Sequence, residues 1–145
     1  IESQTVSQIV DKIKKLPKKS TIYLYAPVVR GRKGEYKKDI LSYKKRGFRK
    51  IKIDNTIYDI DKIPELNKKV KHDISILVDR IILNSSLGNR LAESIETSVN
   101  LANGLIFVEY EDETLPKKFR KLERLIFSTK FSGTVMLTSK SPKSL

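Results

Sequence analysis

Thr21-Ile22-Tyr23-Leu24-Tyr25-Ala26-Pro27-Val28 runs without a break into Val29-Arg30-Gly31-Arg32-Lys33-Gly34-Glu35. The first eight residues alternate, with Ile22, Leu24, Ala26 and Val28 on one side, the period of a strand with one buried face. The next seven carry two glycines and three cations, which predicts a charged turn after the strand. Arg30, Arg32 and Lys33 on such a turn face either an anion or solvent. An apolar strand delivering a charged loop is the unit around which the other elements are read.

Upstream, Val6, Ile9, Val10, Ile13 and Leu16 have helical spacing over 5–16, Thr5 with Gln8 fits a capping box, and Pro17 stops the helix. Downstream, 35–46 reads as a second amphipathic helix with Tyr36, Ile40, Leu41 and Tyr43 towards the core and Gly47 at its end. The run 48–53 alternates, Asp54-Asn55 turns it, and 56–60 returns, so a hairpin is expected with Lys50 and Lys52 on its outer face. A central strand is predicted over 72–83, where the charge pair Asp79-Arg80 makes either an outward ladder or a contact site. Ser85-Ser86-Leu87-Gly88-Asn89 is a turn. Over 90–102, Leu91, Ile95, Val99 and Ala102 form an apolar stripe, with Arg90, Glu93 and Glu96 on the opposite side at intervals of three. Strands follow at 105–110 and 125–127, with a short helix expected over 117–123. The whole predicts one α+β domain whose mixed, largely antiparallel sheet is packed by three helices. No internal repeat is present.

The 145 residues hold no Cys, which excludes disulfides, thiolate metal sites and a Cys nucleophile. No apolar run reaches the ~20 residues of a membrane span and no signal-peptide core is visible, so a soluble, cytoplasmic protein without membrane contact is expected. The chain opens on Ile1 without Met and is expected to be an excised or processed piece. Its net charge of +13 is uneven: residues 1–72 hold 20 Lys/Arg against 8 Asp/Glu, and residues 73–145 hold 10 against 9. Solvated lysine pairs account for much of this field, and a polyanionic partner is the other reading.

Neither G-x-x-x-x-G-K-[ST] nor G-x-G-x-x-G occurs, so no nucleotide cradle is visible. His72 is the single His and leaves a triad or a His-based metal site without parts. Enzyme activity and bound cofactors are therefore not expected. Gly31-Arg32-Lys33-Gly34 matches the G-x-x-G loop with which KH domains clamp nucleic acid, although that loop joins two helices and this one follows a strand. A plain turn, a nucleic-acid contact and a protein contact all fit it. The second candidate surface, Lys50, Arg80, Arg90, Glu93 and Glu96, carries both signs of charge. Mixed signs fit a solvated face or a protein partner with complementary charges better than a polyanion.

Six runs stand in an order that closely resembles one family: Gln4-Thr5-Val6-Ser7-Gln8-Ile9-Val10-Asp11, the 26–35 stretch, Lys69-Val70-Lys71-His72 with Val78-Asp79-Arg80, 90–97, Ala102-Asn103-Gly104, and Phe127-Ser128-Thr129-Lys130-Phe131. It is the UvrB-binding domain inserted in bacterial UvrA, the damage-recognition ATPase of nucleotide excision repair. The resemblance implies a protein-interaction domain over 1–131 that docks UvrB. The contacts would fall on Lys50, where the family usually has Arg, and on Arg80, Arg90, Glu93, often Asp in the family, and Glu96. Lys for Arg keeps the charge and loses the bidentate fork, so a looser contact is expected at Lys50. Arg30, Arg32 and Lys33 are a secondary site that could face DNA in the assembled complex. The family's ATP-binding and zinc-binding motifs lie outside the matched runs, which implies no ATP hydrolysis and no zinc here. Where the family continues into Cys-Pro-x-Cys, Ser132-Gly133-Thr134-Val135 follows instead, implying a truncated or split copy with a divergent, frayed tail over 132–145.

Overall fold

The structure, a computed structural model, describes residues 3–84, 87–112 and 114–129. The expected tail over 132–145, Ser85-Ser86 of the predicted turn and Glu113 lie outside the described residues.

Helix α1, Val6–Lys14, is capped as its sequence requires: Gln8 N–H donates to the Thr5 hydroxyl and Thr5 N–H to the Gln8 side chain, at 3.1 and 2.9 Å. It buries Ile9 and Ile13. Strand β1, Thr21–Lys33, is followed by α2, Lys37–Lys45, and by a hairpin of β2, Lys50–Ile53, and β3, Thr56–Asp59. Asp54 and Asn55 both adopt positive φ, 49° and 70°, the backbone of a two-residue turn whose twist matches the strands. Then come β4, Lys71–Ile82, α3, Arg90–Leu101, β5, Leu105–Glu111, and β6, Glu123–Ser128.

The six strands form one sheet in the order β3-β2-β4-β1-β5-β6. All five strand pairings are antiparallel. The parallel component of the expected mixed sheet is one isolated bridge, Ser3 to Ser128. Beside the sheet lie two apolar clusters. One joins Ile9 and Ile13 of α1, Leu91, Ile95 and Val99 of α3, and Ile22, Leu24, Ile81, Ile106 and Val108 of the sheet. The other gathers Ala26, Val29, Ile51, Ile53, Ile74 and Ile76, with Tyr36, Ile40 and Tyr43 of the α2 region packed against it.

Four expectations are corrected. The charged loop over 29–35 is strand through Lys33, because Arg32 and Lys33 find backbone partners in His72 and Lys71 of β4. Leu41 is 48% exposed and not in the core, since α2 buries no residue fully and turns only its other side to the sheet. Lys52 does not share an open outer face with Lys50: its side chain is only 14% exposed, because an acid two strands beyond its ladder partner draws it down onto the sheet. The helix over 117–123 shrinks to a single 3-10 turn, Lys117–Phe119, as β6 takes up Glu123.

Candidate functional site

The site begins with a fault in the β1–β4 ladder. Leu24 opposes Asp79 and Tyr25 opposes Leu77, so one extra residue, Val78, bulges out of β4. A bulge re-aims the side chains beyond it, and here it divides the charge pair. Asp79 turns to α3, where its Oδ1 accepts from Arg90 Nη2 at 2.8 Å and its Oδ2 from Arg90 Nε at 3.1 Å and from the Ser94 hydroxyl at 2.8 Å. Arg80 opposes Tyr23 on the other side, with its guanidinium 6.0 Å from the centre of that ring.

Arg90 stands at the first position of α3. The two-pronged contact with Asp79 uses the geometry in which guanidinium and carboxylate fit best. Arg90 Nη2 also reaches the Arg80 carbonyl at 3.3 Å, and yet the Arg90 side chain stays 57% exposed. Partial burial works to raise the Asp79 carboxyl, but donation from Arg90, Ser94 and the Arg80 N–H outweighs it and holds the group below the usual carboxylate range. The same bond raises Arg90 further. Each partner thus favours the charged form of the other, and the Arg90 side chain stays more than half exposed.

Glu93 and Glu96 are exposed on the solvent side of α3, as their spacing predicts, and neither makes an ion pair with a described residue. The structure therefore joins Arg90 to the Arg80 backbone and leaves Arg80, Glu93 and Glu96 as presented charges. Lys50 is different. It lies on β2 opposite Asp59 and forms a close ion pair with it across the hairpin, which holds the Asp59 carboxyl low.

Three partners escape a reading of the sequence. Asp79 is visible there only as half of a charge pair; Ser94, fifteen residues on, carries no signal. Glu109 reads as part of a core strand, and it is 7% exposed. It accepts from Lys52 Nζ at 2.9 and 3.0 Å and from Arg124 Nη2 at 3.2 Å. The same cations cover aromatic rings, Lys52 over Tyr25 at 4.5 Å and Arg124 over Phe107 at 4.9 Å. Burial first, and then the Glu109 charge, push the Tyr25 phenol up to about 12. Charge in this part of the sheet is paired internally, two cations sharing one carboxylate, and is structural. His72 is likewise engaged, its Nδ1 2.7 Å from Asp54 Oδ2 and its Nε2 2.8 Å from the Asn67 carbonyl. Both ring nitrogens face acceptors, so the imidazolium satisfies both, and the bond to Asp54 is the main cause that raises its pKa.

The geometry describes a domain that displays charges held in place by their neighbours, and comparison with known proteins gives its family. The family profile of the UvrA interaction domain matches residues 4–112. The chain is 47% identical over 137 residues to UvrABC system protein A of Rickettsia felis, an alignment covering 93% of this chain and 14% of the relative. It is 47% identical over 147 residues to the protein of the same description in Bradyrhizobium diazoefficiens, covering 93% of this chain and 15% of the relative. The chain belongs to the UvrA interaction domain family, and it spans about one seventh of the length of these relatives. Among the described residues no helix is long and apolar enough to cross a membrane, and no group of three or more His, Cys, Asp or Glu is placed to hold a metal.

Proposed function

We propose that this domain docks UvrB in nucleotide excision repair, through Arg90, Glu93 and Glu96 of α3 and through Arg80, whose side chain leaves β4 on the other side. The observation that carries this reading is Arg90: its fork is fixed by Asp79, tied to the Arg80 backbone, and still more than half exposed. A fixed, exposed guanidinium loses little freedom when a partner carboxylate arrives, so more of the contact energy appears as affinity. Glu93 and Glu96 beside it select a partner that offers cations as well as acids. Lys50 is the weakest member, because docking has to exchange Asp59 for a new partner. The domain works as a docking element and hydrolyses nothing itself; ATP and zinc chemistry belong to other parts of the longer relatives, and the setting is the cytoplasm.

Titration calorimetry of the chain with UvrB tests the reading. Saturable binding is expected, with Arg90→Glu weakening it at least about 30-fold, the ~2 kcal/mol lower bound for breaking a fixed interfacial charge contact. Lys50→Ala should change affinity least. Unaltered binding by Arg90→Glu would remove the proposal.

A further inference from the structure

The end of the β1–β4 ladder furthest from Asp79 has a different character. Strand β5 leaves β1 after Tyr25, and the β2 ladder on β4 ends at Ile53 opposite Ile74. The last two rungs, Arg32 to His72 and Lys33 to Lys71, therefore continue as a ribbon of two strands. Arg30, Arg32 and Lys33 lie on one strand, Lys71 on the other, and Lys68 and Lys69 in the turn leading into it; all six are exposed. None makes an ion pair with a described residue, although Lys37, Lys44, Lys50, Lys52, Arg90 and Arg124 all do.

The acids nearby are occupied. Asp73 Oδ1 accepts the Gly31 N–H at 2.7 Å, Asp54 holds His72 and the Asp73 N–H, and Glu35 pairs with Lys37. The ribbon is also stiffly held. Gly31, at φ 61°, makes the bulge between Val29 and Arg32 that Asp73 pins, and the Tyr36 hydroxyl donates to the Lys33 carbonyl at 2.9 Å. Gly34 packs so closely on the Tyr36 ring that a Cβ there would stand 3.0 Å from it. Like charges set directly across a ladder, as Lys33 and Lys71 are, destabilise the pairing, and this domain holds them there on a braced backbone.

We propose that this β1–β4 ribbon is a binding site for the phosphate backbone of duplex DNA. A two-stranded ribbon is narrow enough for the major groove. Several unneutralised cations on one rigid element meet a polyanion with release of its condensed counterions, which supplies most non-specific affinity. The site is separate from the Arg90 surface and stands whether or not that surface docks UvrB.

Fluorescence anisotropy with a labelled duplex of about 20 bp, between about 50 and 200 mM salt, is the test. The wild-type chain is expected to bind with an affinity that falls steeply with salt. The triple variant Arg30→Ala, Arg32→Ala, Lys33→Ala should weaken binding at least about tenfold and make the salt slope shallower by roughly 0.9 for each phosphate that is no longer neutralised. Lys69→Ala with Lys71→Ala, on the facing strand, should act in the same direction. Replacing Lys12, Lys14 and Lys15 of α1 by Ala removes equal charge elsewhere and should cost far less, and Arg90→Glu should leave DNA affinity within about twofold. An unchanged urea-unfolding midpoint for the ribbon variants would show that they fold. The proposal is overturned if wild type does not bind, if the α1 variant loses as much as the ribbon variant, or if polyglutamate or duplex RNA competes as well as duplex DNA.

Discussion

The two ends of the β1–β4 ladder handle charge in opposite ways. At the Leu24–Asp79 end a bulge turns a carboxylate into the face of α3, and Arg90 and Ser94 close on it. At the Arg32–His72 end another bulge, at Gly31, is braced by Asp73, and the cations around it make no ion pair with a described residue. The same device, one extra residue in one strand, thus produces a fixed and mixed-sign surface in one place and a bare cationic ribbon in the other. The difference teaches that net charge is a poor guide to a binding surface here. A charge already compensated holds geometry, whereas an uncompensated charge on a rigid element is available to a partner.

The region of paired charge should be where charge removal hurts folding most. Glu109→Ala would leave Lys52, nearly buried, and Arg124 without their acid, and is expected to cost about 3 kcal/mol in urea unfolding. Asp79→Ala frees Arg90 and strips Ser94 of its acceptor; about 2 kcal/mol is expected, together with weaker UvrB binding although Arg90 itself is intact. A drop in stability with unchanged UvrB affinity would show that fixing Arg90 is irrelevant to docking.

At the ribbon the backbone should matter more than the charges. Gly31→Ala meets no steric block but keeps a left-handed conformation, and should cost about 1 kcal/mol. His72 sharpens the point through pH. Its pKa is raised in the folded state, so its contribution is fully present below about 6.5 and is lost as pH rises through the folded value. Asp54 runs the other way: burial works to raise its pKa, the bonds from His72 and the Asp73 N–H more than offset that, and its contribution fades as pH falls through the depressed value. Stability measured between those two limits should form a plateau whose alkaline edge disappears in His72→Gln. The smallest expected effect is Arg32→Ala, within about 0.5 kcal/mol in unfolding, since an exposed unpaired cation contributes little to the fold. A large loss there would break the comparison.

Much of the frame is legible in the chain. The capping box at Thr5, the Asp54-Asn55 turn and the stripe of Leu91, Ile95 and Val99 depend on residues within about one turn or one rung of each other, and all three form. The stretch from Val29 to Lys33 misleads because one glycine and three cations lack a strand's alternation; β4 supplies the hydrogen bonds that make it strand regardless. Lys52 and Glu109 are 57 residues apart, and no local pattern joins them. The presented charges Arg80, Arg90, Glu93 and Glu96 follow from spacing and resemblance, but the residue that organises them, Asp79, needs the bulge to be seen.

The sequence by itself determined most of the helices and strands, that one α+β domain forms, the family the chain resembles, and that cations concentrate in its N-terminal half. Those properties follow from periodicity, caps, composition and matched runs, all of which are written locally. Only the tertiary structure decided which of those cations are neutralised. Ion pairing depends on where strands distant in sequence fall beside one another, and a single extra residue in a ladder is enough to move a charge from one face of a sheet to the other.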